Sequence, residues 1–231
     1  MKRYFCVFSV LFCLPVEAGV GRIYEPYVNP LENELEFHST YETGDQYFPA
    51  DLMRNTFGFG TPLTDNIKSE FALVYSDNAL GETVHRASEV EFLWQLSEQG
   101  EYDNDWGAMF SLERNHLLNY WSTNSKLVMH RDFTHSSIDL NLVVGFDWGH
   151  GIENDYDLEL RSRYSWRWRR ELTPSIEFHT SESYTVLGPM VGGALRLSSQ
   201  HKLNWNLGIL YGLDENTPSK IFKLECEWEF F

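Results

Sequence analysis

The chain has 231 residues, with 18 Lys and Arg against 34 Asp and Glu and a formal net charge of −16. That excess of acid excludes nucleic acid as a partner, because phosphate binding needs a basic face. Lys2 and Arg3, the apolar run Tyr4 to Leu14 and the small-residue site Val16-Glu17-Ala18 predict a secretory signal peptide over residues 1–18. The apolar run falls short of the roughly 20 residues of a spanning helix, and the bulky Phe12 before Cys13 argues against lipidation there.

Cleavage after Ala18 would leave residues 19–231, with 18 − 2 = 16 bases, 34 − 1 = 33 acids and a charge of −17. Cys6 and Cys13 depart with the signal, so Cys226 remains alone and no internal disulfide can form. No Pro/Gly/Ser-rich linker, low-complexity tract or strong repeat divides the remainder, which predicts a single domain.

The dominant signal from there on is alternation with period two, which puts successive side chains on opposite faces of a strand. Turn-forming clusters, such as 61–66, 97–100, 149–151, 172–174 and 214–218, separate the alternating runs. In chain order the predicted strands are 33–41, 52–60, 66–76, 86–97, 104–114, 124–132, 137–148, 156–168, 174–181, 187–197, 202–212 and 220–231. Omitting the sixth and ninth leaves ten. At roughly ten residues each, these match tilted strands that cross a bilayer. The one helix candidate is Asn115 to Trp121, short enough to be a loop.

Many alternating strands make either a soluble sandwich or an antiparallel up-and-down transmembrane β-barrel. Three features favour the barrel. Charge is dense along single strand faces, as in the last strand, where Phe222, Leu224, Cys226, Trp228 and Phe230 alternate with Lys223, Glu225, Glu227 and Glu229. Aromatics sort by strand direction: Trp94, Trp106, Trp166, Trp168, Trp205 and Trp228 toward one rim, Tyr75, Trp148 and Tyr211 toward the other. The chain also ends in an amphipathic strand and Phe231, one residue out of phase with Phe230 and Trp228.

Tyr24-Glu25-Pro26-Tyr27-Val28, the stretch Gly58 to Asp65, Leu187-Gly188-Pro189 and Asn206 to Asp214 resemble the small proteobacterial outer-membrane barrels of unassigned function. The resemblance implies a single barrel in the outer membrane. Its motifs mark turns and strands and carry no catalytic residue across.

Alternation assigns an inward face. Lumen and selectivity candidates on it are Glu34, Glu36, Glu89, Glu91, Glu159, Arg161, Arg163, Arg167, Glu225, Glu227 and Glu229. His38, Arg54, Lys68, Glu70, Glu113, Asp139, Asn141, Glu177 and His179 share it. Closure would set Glu34 and Glu36 beside the glutamates of the last strand, facing a basic stripe of Arg161, Arg163 and Arg167. Opposed walls of this kind would put a transverse field across a passive pore and favour cations. In the alternative, the charges pair across a narrow interior and plug it, leaving a structural or binding barrel that acts through outer loops such as Ser76 to His85.

His179-Thr180-Ser181 and His135-Ser136-Ser137 have the His-x-Ser spacing of outer-membrane phospholipases. The first pair should face inward, away from lipid esters, and no Asn-Gly follows it, so a lipid hydrolase is disfavoured and no catalytic residue is assigned. The eight histidines are dispersed without ligand spacing, and the acidic stretch Asp147 to Asp157 lacks the order of a calcium loop, so neither a metal nor a cofactor is expected. The expected partners are outer-membrane lipid, the barrel-assembly machinery and small solutes or ions.

Overall fold

The computed structural model describes residues 20–44, 51–77, 81–150, 152–215 and 217–231; the expected signal peptide and residues 78–80 of the Ser76 to His85 loop lie outside them. Among the described residues twelve strands follow one another without a helix: β1 (Asn33–Glu42), β2 (Leu52–Thr64), β3 (Ile67–Asp77), β4 (Thr83–Gln95), β5 (Asp105–Asn115), β6 (Tyr120–Asp132), β7 (Ser136–Gly149), β8 (Asp155–Trp166), β9 (Thr173–Thr180), β10 (Thr185–Arg196), β11 (His201–Gly212) and β12 (Lys220–Phe230). Each pairs antiparallel with its neighbours in sequence, and β12 pairs with β1 to close the barrel. The sixth and ninth strands are both present, which removes the ten-strand alternative.

Closure satisfies every strand edge, the condition under which a sheet can sit in hydrocarbon. The two faces then decide between barrel and sandwich. Phe57, Phe71, Phe110 and Leu142 point outward and are 51%, 49%, 49% and 43% exposed, whereas Asn141, Glu177, His179 and Lys223 point inward and are 0% exposed. A water-soluble sheet protein has the opposite arrangement. At the end where β1 begins and β12 stops, here the lower end, Trp94, Trp166 and Trp228 are exposed; Tyr41, Trp121 and Tyr211 are exposed toward the upper end. Trp205 pairs with Cys226 farther up the wall.

Two local expectations change. Residues 61–64 continue β2 instead of turning, with the register shifting between Pro62 and Thr64, and the hairpin turn is confined to 65–66. A bulge of this kind accommodates a proline that cannot donate to the ladder. The helix candidate is a tight turn between β5 and β6, in which the Asn115 side-chain carbonyl accepts from the Leu117 and Leu118 amides at 3.1 and 3.0 Å. Asn119 closes the turn at φ 58°, a left-handed conformation that asparagine tolerates.

Candidate lumen site

The inward wall is built first by closure. The β1–β12 register sets Glu34 opposite Glu229 and Glu36 opposite Glu227. Neighbours on the wall engage part of this acid: Lys68 of β3 meets Glu34, Lys202 of β11 donates to Glu229 at 2.7 and 3.0 Å, and the uncharged Asn204 amide donates to Glu227 at 2.8 Å. On β4, Glu89 borders a cavity and Glu91 is held by Lys126 at 2.5 Å.

The expected basic stripe does not oppose the acidic wall across water. Arg161 is bound to Glu159 on its own strand at 2.5 Å, while Arg163 reaches Glu177 at 2.7 Å and crosses to Glu225 of β12 at 3.1 Å. From the other side Lys223 reaches Glu177 at 2.9 Å and Glu225 at 3.0 Å. Long cationic stems close the chord that parity alone would leave open, so the expected transverse field is replaced by local pairs. Arg167 is also corrected: β8 ends at Trp166, and the exposed Arg167 guanidinium donates to the carbonyls of Phe133 and Ser136, capping the β6–β7 turn outside the lumen.

The remaining interior is filled by a stretch that belongs to no strand. Residues 20–28 run down the lumen from the upper end and lead into β1. Arg22 pairs with Glu36, lies 3.2 Å from Glu227 and comes within 3.9 Å of Glu70. The wall also grips the segment's main chain. Asn141 accepts from the Tyr24 N–H at 2.7 Å and donates to its carbonyl at 2.9 Å; Arg161 donates to the Arg22 carbonyl at 2.9 Å and Lys223 to that of Gly21 at 3.1 Å. The Tyr24 hydroxyl donates to Glu91 at 2.6 Å, and that of Tyr27 to Asp105 at 2.7 Å.

Apolar contacts anchor both ends of the segment. Val20 packs above with Tyr184, Val186, Met190, Leu210 and Ile221; Tyr24 and Val28 pack below on Leu93, Met109 and Val128. Glycine makes room at one crossing: a Cβ on Gly107 would lie 2.9 Å from that of Pro26. Tyr184, in the turn between β9 and β10, donates to Glu159, and burial together with that carboxylate pushes its phenol above the ordinary range.

Beside the segment a cavity of about 170 Å³ remains, lined on the wall by Glu36, Glu70, Glu89, Glu91 and Glu113, with Lys126, Arg54 and His38 among the bases. The site therefore offers charge and hydrogen bonding to a small polar solute. A lipase pair is not assembled: His179 contacts Glu177 at 3.2 Å, and Ser181 lies in the β9–β10 turn against Ser183 at 3.0 Å. Among the described residues, two groups gather atoms that could share an ion, although the sequence has no ligand spacing: Glu25, His130 and Asp139, and Glu34, Glu36 and Glu70. Both are already engaged, His130 with Asp139 at 2.6 Å and Asp132 at 3.0 Å, Glu34 and Glu36 with Lys68 and Arg22.

Sequence reasoning passed over Arg22, Tyr24, Lys126 and Lys223 as site residues. A signal for the segment was present, since residues 19–32 hold an arginine, two tyrosines and two prolines and lack alternation.

No protein-family profile and no curated protein matches the chain. Solved structures do match its fold. The COG4313 outer membrane channel from Pseudomonas putida F1 superposes with a TM-score of 0.61 at 13% identity, covering 92% of this chain and 99% of that one. The KdgM porin in complex with disordered oligogalacturonate gives 0.54 at 9% identity over 86% and 98%, and the NanC porin 0.55 at 6% over 85% and 99%. At such identities the likeness is one of fold: this chain has the closed barrel of outer-membrane channels and porins.

Proposed function

We propose that the chain is an outer-membrane solute channel with a charged, net acidic lumen that favours cations. A signal peptide over residues 1–18 would direct export, the barrel-assembly machinery would insert the mature chain, and its apolar outer face would meet lipid with the lower end toward the periplasm. The observation that carries this reading is how the bore is filled. Eight strands enclose a space that side chains can fill by themselves; the twelve here enclose more, and the excess holds residues 20–28, joined to the wall by non-covalent contacts, beside a cavity rich in carboxylates. The channels and porins of the same fold agree with it.

On this reading the glutamates of β1, β4 and β12 set the preference for cations, and Arg161 and Arg163 moderate it. Recording from purified protein in planar bilayers tests both parts. Discrete conductance with cation preference is expected, and Arg161→Gln should raise the cation-to-anion permeability ratio; an unchanged ratio removes Arg161 from selectivity. The second reading, a sealed barrel acting through its upper loops, is favoured by the filled lumen and by the Arg163–Glu225 pair that crosses it. Electrical silence from folded protein would decide for it.

A further inference from the structure

We infer that residues 20–28 form an internal gate in which Arg22 occupies a carboxylate cradle, Glu36, Glu70 and Glu227, that a guanidinium- or amine-bearing solute takes when the segment withdraws. The inference rests on the channel reading and adds the substrate class and the means of closure.

Four observations carry it. First, the cation in the cradle belongs to the segment: Glu36 pairs with Arg22, and Glu227 and Glu70 stand 3.2 and 3.9 Å from its guanidinium. Withdrawal would strip these three inward carboxylates of the cation closest to them, leaving Glu36 with Lys68 at 3.9 Å, itself paired with Glu34. Carboxylates so placed must bind a cation or protonate, and a planar guanidinium matches them best.

Second, the space around the cradle is already partly open. The cavity of about 170 Å³ adjoins Arg22, Tyr24, Glu36 and Glu70, so a small organic cation can approach before the segment has left. Third, the segment is held as a ligand is held. Side chains of the wall read its main-chain groups, with Asn141 taking both the N–H and the C=O of Tyr24, and no strand pairs with it. Release therefore breaks contacts to side chains and leaves the sheet ladder intact. Fourth, the apolar contacts are spread along the segment with no single cluster holding it: Val20 packs at the top and Tyr24 and Val28 at the bottom, with Ile23 and Pro26 buried between.

The test uses the full mature chain with Cys226→Ser. In Pro26→Cys/Gly107→Cys the two Cβ atoms would start about 2.9 Å apart, near enough to the usual ~3.8 Å of a disulfide for a small shift to join them. Oxidation should abolish conductance in planar bilayers and reduction should restore it. Equal conductance in both states overturns the gate.

A second arm does not depend on conduction or on that disulfide. Ile23→Cys places a thiol on a residue of the segment that is 6% exposed. Millimolar agmatine, which carries a guanidinium and an amine, should speed its reaction with a hydrophilic maleimide at least fivefold. Sodium at equal ionic strength should not. An unchanged rate overturns displacement by such solutes. Silence of every form in the bilayer, with labelling still accelerated by agmatine, would overturn the channel reading and retain a cation-binding barrel with a movable segment.

Discussion

The two halves of the lumen neutralise their carboxylates in different ways. Between β8, β9 and β12, Glu177 and Glu225 are met by Arg163 and Lys223, so acid and base are both fixed to the wall. Across the β12–β1–β3 sector, Glu36, Glu70 and Glu227 share Arg22, which belongs to a segment in no strand. The first arrangement lasts as long as the barrel is closed, whereas the second lasts only while residues 20–28 are seated. Charge balance in one half is thus a property of the fold and in the other a property of a conformation.

Three substitutions probe that contrast. Lys223→Ala should have the largest effect, because it breaks a buried ion pair with Glu177, itself 0% exposed, and leaves Glu177 and Glu225 to share Arg163; breaking a buried pair costs up to about 3–5 kcal/mol. Urea unfolding in detergent should show this as a large loss of midpoint, and a loss no greater than that of Arg22→Ala would erase the distinction between the halves. Asn141→Leu comes next. It removes both hydrogen bonds to the Tyr24 main chain, one at its N–H and one at its carbonyl, worth about 1–3 kcal/mol in total, and should speed hydrogen exchange at the Tyr24 amide while strand amides keep their protection. Equal acceleration in β7 would mean that segment and wall open together. Arg167→Ala should matter least, within about 0.5 kcal/mol, because its partners, the Phe133 and Ser136 carbonyls and the exposed Asp132 carboxylate, lie at the exposed β6–β7 connection; a shift in ion selectivity would return Arg167 to the pore.

Much of the wall was legible because its period is local. Alternation in β7 and β12 fixes which side chains face inward without knowledge of any partner, and successive hairpins leave little freedom in strand order. What parity cannot supply is distance across the bore. Arg163 and Glu225 are 62 positions apart, and their meeting depends on the curvature of the closed sheet. Arg167 shows the opposite failure, in which alternation was carried past the point where β8 stops. Pro62 misled in a third way, since a bulge holds a residue that normally signals a turn. The lumen segment was beyond reach of periodicity: Tyr24 finds its peptide partner 117 positions away, on a wall that exists only after closure.

That last dependence sets an order of assembly. The segment's polar partners alone come from β1, β3, β4, β5, β7, β8 and β12, so no intermediate that lacks the final hairpin can offer them all. Docking must follow closure of the barrel, and the entropy of tethering the stretch is lost after the sheet has formed. Each newly made molecule therefore passes through an interval in which the bore is closed around but not yet filled, and how long it lasts is set by how quickly nine residues find a groove that the rest of the chain has just finished building.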